Sequence, residues 1–265
     1  MAHAVGWVCG WGVFAASGVY RRRFLANARQ AGMVWRQWLG AVGAAGQLVA
    51  ELPRLWFGRP VAVQWTGAEH IDAALAHGQG VVFLTPHLGC FEVTAQAYAS
   101  RYGQSDKFSR PMTVLYRPPR KAWLNALVTT ARVRPGLATA PTTLAGVKQM
   151  ITALRHGQCV GLLPDQVPPA GMGLWALFFD REAYTMTLPT RLARLTNASI
   201  LIAWGERLTW GRGYRVYVKP LTASLPPEAA LAAVAVNRVM EDLVRACPQQ
   251  YLWGYARYKQ PREAA

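Results

Sequence analysis

The stretch "VVFLTPHLGCFE", Val81 to Glu92, decides how the chain is built. Its first five residues read as a buried strand. Pro86 keeps Thr85 extended, Gly89 permits a turn, and a helical run opens at Phe91. A strand that turns straight into a helix is the building unit of a layered α/β domain. His87 and Glu92 fall at that junction, just beyond a strand's carboxyl end, where open sheets bind ligands.

The pattern repeats outward from this unit. Val61–Trp65, Met112–Tyr116, Cys159–Leu163, Ser199–Arg207 and Tyr214–Val218 read as strands. A short helix over "GAEHIDAALAHGQG" precedes Val81, and helices over Phe91–Arg101, Lys121–Ala131, Thr142–His156, Leu188–Thr196 and Pro227–Ala246 follow it. In the fourth of these six, Leu144, Val147, Ile151 and Leu154 keep the i, i+3, i+7 stripe, and Gly157 closes it. Alternation of this kind predicts a mostly buried mixed sheet flanked by helices. No internal repeat, low-complexity linker or second domain interrupts it.

Five positions apart, two side chains stand about 140° apart on a helix, and on a strand they face opposite ways. His87 and Glu92 therefore meet only if the chain turns between them. If they meet, the imidazole can take a proton from an attacking hydroxyl while the carboxylate fixes its tautomer. The spacing equally allows Glu92 to serve only the dipole of the helix's first turn, with His87 capping the strand. No G-x-S-x-G or H-E-x-x-H occurs, and nothing local marks Cys90 as activated.

Composition narrows the partners. Lys and Arg number 29 against 13 acidic residues, a net charge of +16 that attracts nucleic acid, anionic lipid or acidic protein alike. Eleven Trp and ten Tyr favour a membrane interface, although an aromatic-rich core under a basic surface has the same composition. No zinc-finger or RRM-like motif supports nucleic acid. "GMGLWA" follows a proline-rich loop rather than a strand, so it is not a dinucleotide fingerprint. Cys9, Cys90, Cys159 and Cys247 are too scattered for zinc and read as reduced thiols.

The uncharged run Ala4–Tyr20, followed by Arg21–Arg23, divides the chain into a membrane-anchoring or interfacial helix over 1–23 and the layered α/β domain over 24–265. At the lower limit of spanning length, the run also suits a hydrophobic hairpin helix of the globular domain. The helical stretch after it is expected to end at Pro53 and "FGRP".

Read together, these segments carry a family resemblance. "HLGCFE" resembles the H-x4-D/E motif of lipid acyltransferases. "LYRPPRKAWLNAL", "MITALRHGQCVGLLPDQVP", "FFDREAYTMTLPTRLARLTNASILIAW" and "CPQQYLWGYARYKQPRE" resemble, in order, segments of the bacterial lauroyl/myristoyl acyltransferases that act on lipid A precursors. "RRRFLANARQAG" after an apolar helix is similar too. Asp180, Gln249 and Gly254 depart from the family's usual Gly, Glu and His.

The resemblance implies an acyltransferase-type α/β fold and transfer of a fatty acyl group from acyl carrier protein to a hydroxyl of an anionic glycolipid. The setting it implies is the cytoplasmic face of the bacterial inner membrane, without metal or cofactor. On it, His87 is the expected general base and Glu92 its orienter. Arg117 is expected to bind an oxyanion or a phosphate, Asp165 to line the site, and Arg181, Arg257 and Lys259 to hold phosphates or form a solvated basic face. Another lipid acceptor, or a non-catalytic lipid-binding relative, fits the same motifs.

Overall fold

The computed structural model describes residues 2–103, 109–116, 121, 128, 131–132, 134–222 and 225–263. Arg117 and nearly all of the helix expected over Lys121–Ala131 lie outside the described residues.

Seven strands form one sheet: β1 (Val63–Thr66), β2 (Val81–Leu84), β3 (Met112–Tyr116), β4 (Leu137–Pro141), β5 (Cys159–Leu162), β8 (Ser199–Arg207) and β9 (Tyr214–Pro220). Their spatial order is β1-β9-β8-β2-β5-β3-β4. Pairings are parallel except between β8 and β9, so the sheet is mixed, as expected. Its helices are α4 (Ala68–Ala76), α5 (Phe91–Tyr98), α6 (Leu144–Arg155), α7 (Leu188–Thr196) and α8 (Ala229–Ala246). A π turn, Ala99–Gly103, prolongs α5.

The period-2 alternation of the strands splits the core in two. Val82, Leu84, Val160, Leu162, Ile202 and Trp204 bury on one face with Met150, Met240 and Trp253. Val81, Phe83, Cys159, Leu201, Ala203 and Val216 bury on the other with Ile71, Val93 and Tyr98. Because β2 and β5 are parallel neighbours in register, Val81 against Cys159, the loops after them leave the sheet side by side. That adjacency builds the site.

Two pieces were not expected. β4 adds an edge strand, and β6 (Gly173–Phe178) pairs antiparallel with β7 (Arg181–Met186) as a separate hairpin. Phe179 and Asp180 form its two-residue turn, both at positive φ, the geometry of a type I′ turn.

The N-terminal region also differs from expectation. The apolar run breaks into α1 (Ala2–Ala16) and α2 (Gly18–Gln30), set at 100°, where Ser17 caps α2 by accepting from the Tyr20 N–H. No single helix among the described residues is long and apolar enough to cross a membrane. α3 (Trp35–Phe57) runs through Pro53 and stops at the expected "FGRP".

Candidate active site

β2 ends at Leu84, and the Thr85 N–H makes one more ladder bond to Leu162 O (3.0 Å) before Pro86 turns the chain. Gly89 lies at φ 61°, and a Cβ there would stand 2.0 Å from Gly205 O, so only glycine fits. The Gly89 N–H donates to Gln250 O (3.0 Å), and the Leu252 N–H donates to His87 O (3.2 Å). The C-terminal tail thereby fixes the loop that carries His87.

The carboxylate on the imidazole is Asp165, not Glu92. Asp165 follows β5, and it holds both ends of His87: Oδ1 lies 2.8 Å from Nδ1, and Oδ2 accepts from the His87 backbone N–H at 2.9 Å. An ionised carboxylate only accepts, so Nδ1 carries the proton and Nε2 presents its lone pair. Asp165 is buried, which pushes its carboxyl up. The His87 ring, its two hydrogen bonds and the charge of Arg257 outweigh that and hold it below its ordinary range. The hydroxyl of Tyr251 is pushed far up by burial and by the Asp165 charge.

Glu92 sits in the first turn of α5 and pairs with Arg132, whose guanidinium lies 4.8 Å from the Tyr116 ring centroid. Glu92 was expected to orient the ring; its ion pair goes to Arg132, while the strand beside β2 supplies the carboxylate that meets Nδ1. Gln166 had no signal in the sequence. Its Nε2 stands 2.9 Å from His87 Nε2, where a hydroxyl awaiting deprotonation would donate. The Phe91 ring meets the imidazole edge-on, 4.8 Å between centroids.

Phe91 and Thr85 also border an apolar cavity between α5 and the sheet, with Phe83, Met112, Gly161 and Ala203 among its walls. Its empty space is about 480 Å³ when the open mouth is counted with the interior. Small residues on β5 and β8 leave this room.

The other expected residues go elsewhere. Arg181 is exposed on β7, with its guanidinium 4.5 Å from the Tyr258 ring, and makes no hydrogen bond to His87 or Asp165. Arg257 is neither solvated nor open to a phosphate: it is buried, and donates to Tyr184 O and Thr185 Oγ1 (both 2.7 Å). Exposed Lys259 stands 4.9 Å from the Tyr255 ring. Cys90 is buried and its thiol is driven well up by desolvation and the Glu51 charge, which leaves it an inert core residue. No cluster that could hold a metal occurs among the described residues.

A histidine gripped by a buried carboxylate at the sheet's carboxyl edge, beside an apolar cavity, has the features of a lipid acyltransferase. The family model for bacterial lipid A biosynthesis acyltransferases matches residues 33–260, and the chain belongs to that family. Over 223 residues it is 28% identical to the lipid A biosynthesis lauroyltransferase of Escherichia coli K12, covering 82% of this chain and 69% of that one. The palmitoleoyltransferase of the same strain is 26% identical over 219 residues, 81% of this chain and 68% of the relative. The myristoyltransferase is 26% identical over 196 residues, covering 72% and 57% respectively. These relatives are named for three different acyl chains, so family membership leaves the chain length open.

Proposed function

We propose that this protein transfers a fatty acyl group from an acyl carrier protein thioester to a hydroxyl of a lipid A precursor, working at the cytoplasmic face of the inner membrane. The observation that carries the chemistry is the Asp165–His87 pair with Nε2 directed at a donor position. The acceptor hydroxyl replaces the Gln166 amide at Nε2 and gives up its proton there. Its oxygen attacks the thioester carbonyl, and the tetrahedral intermediate expels the thiolate. The Nε2 proton then goes to the departing sulfur, which restores the neutral ring. Asp165 holds the tautomer and steadies the imidazolium between these steps.

Glu92 takes a different part in this scheme from the one its spacing suggested. It pins Arg132, which with Arg117 is a candidate for steadying the oxyanion or a substrate phosphate. The apolar cavity suits the acyl chain. The net charge of +16 suits an acidic carrier protein, a phosphorylated acceptor and an anionic membrane surface. Arg181 belongs to that field.

The test is turnover of an acyl carrier thioester with a lipid A precursor. His87→Ala is expected to cost on the order of 10²–10⁴-fold in kcat. Asp165→Asn should fall in the same range, and Glu92→Gln should lose distinctly less. Full activity in His87→Ala removes the mechanism; equal losses in Asp165→Asn and Glu92→Gln return the orienting role to open question.

A further inference from the structure

We propose that α1 lies in the plane of an anionic membrane surface as a monotopic wedge, bound to the protein along its length, and does not cross the bilayer. The proposal rests on the membrane-surface reading above and adds the geometry of contact.

The outer face of α1 is apolar: Val5, Val8, Cys9 and Val13 are exposed on it, beside Trp7. Fifteen residues make a helix about 22 Å long, short of a hydrocarbon core of about 30 Å. The inner face is locked to α3 by glycine contacts. A Cβ on Gly46 would lie 2.0 Å from Gly6 O, and one on Gly10 would lie 2.3 Å from Val42 O. The two antiparallel helices thus touch backbone to backbone.

Both ends of α1 are tied to the same body. At its start, Gln47 Nε2 donates to His3 O (3.2 Å), and His3 Nε2 lies 3.2 Å from Glu51. Glu51 is itself bound to Arg207 and Tyr214 in the sheet. At its end, Arg21 Nη1 donates to Phe14 O (2.9 Å) and Ala15 O (2.7 Å), which satisfies carbonyls the helix leaves open. The chain then turns through 100° into α2. A helix whose two ends sit on one body cannot place them on opposite sides of a bilayer unless these contacts break.

Partition of an apolar outer stripe into the headgroup boundary, with cationic residues alongside, is how in-plane helices bind. Exposed Arg22, Arg23 and Arg29 on α2 supply the charge. The helix that holds the wedge leads toward the chemistry: a Cβ on Gly40 of α3 would lie 3.1 Å from the Gln249 side chain, in the tail that fixes the His87 loop.

The test uses the full chain on sealed phosphatidylcholine/phosphatidylglycerol vesicles. Spin labels go on Cys9 and, with Cys9→Ser, one at a time on Val5→Cys, Val8→Cys and Val13→Cys; Ala2→Cys is likewise made with Cys9→Ser, and the other three cysteines are buried. In-plane binding predicts one shared shallow depth, about 5–10 Å into the boundary. It also predicts that Ala2→Cys reacts fully with an impermeant maleimide added outside. A depth that changes steadily from Val5→Cys to Val13→Cys, with Ala2→Cys protected, overturns the in-plane geometry and leaves the membrane reading standing. Failure to bind the vesicles overturns both.

Discussion

Glu51 is almost fully buried in α3, yet it stays ionised. Burial pushes its carboxyl up, but Arg207, His3 and Tyr214 bond to it and bring it down to about 2. Its ordinary value is 4.5, so its contribution to stability is complete above that pH and disappears as pH falls toward 2. That contribution is on the order of 3 kcal/mol. Chemical denaturation should therefore show the wild type losing its advantage over Glu51→Gln between about pH 5 and about pH 2; a constant gap would sink the assignment. Nothing in the sequence announced this residue, since a lone glutamate in a helical run looks like a solvated one. Asp165 was legible as a lining residue only. Its grip on His87 depends on which strand lies beside β2, and strand order is not written in local spacing. Gln166 has the same obscurity.

Strands and helices with clear periodicity were legible almost to the residue: β3 and β8 match the expected spans, as does α7. β4 was missed because "LATAP" is short, weakly apolar and ends in proline. The β6–β7 hairpin was missed because charges at Asp180, Arg181 and Glu182 mask its alternation. Asp180 stands at φ 58°, a region that glycine reaches without a Cβ penalty. Asp180→Gly should raise stability by up to about 1 kcal/mol in a denaturant titration, the relief of left-handed strain exceeding the added freedom of the unfolded chain; a loss would mean that the carboxylate has a partner worth more than the strain. In β5, a Cβ on Gly161 would already meet Val114 Cγ1 at 3.1 Å, inside the apolar cavity's wall. Gly161→Leu should depress turnover of the longest acyl thioesters most. A uniform loss across a chain-length series would place the acyl chain elsewhere.

Over the whole molecule, the charge excess predicts how the substrates arrive. On the proposed function, an acidic carrier protein approaching a +16 surface is steered by long-range attraction, which raises association rates 10–10³-fold and is screened by salt. Second-order turnover measured against carrier concentration should fall severalfold or more between about 0.01 and about 0.15 M salt, while saturated turnover holds nearly steady. Salt-independent values would mean that docking is led by apolar contact. The charge and the apolar N-terminus were legible in composition. The helix break at Ser17 was not, because it comes from a side-chain cap and from glycine packing against a helix some forty residues away.

The seam of Gln250 and Leu252 with the His87 loop has a consequence for folding. The backbone partners of His87 and Gly89 are Leu252 and Gln250, and Gly254 makes room for the Tyr20 ring, where a Cβ would come within 2.0 Å. Segments far apart along the chain are thereby clasped together. Closing so long a loop is entropically costly, so the latch on the His87 loop belongs to long-range tertiary assembly and not to local structure.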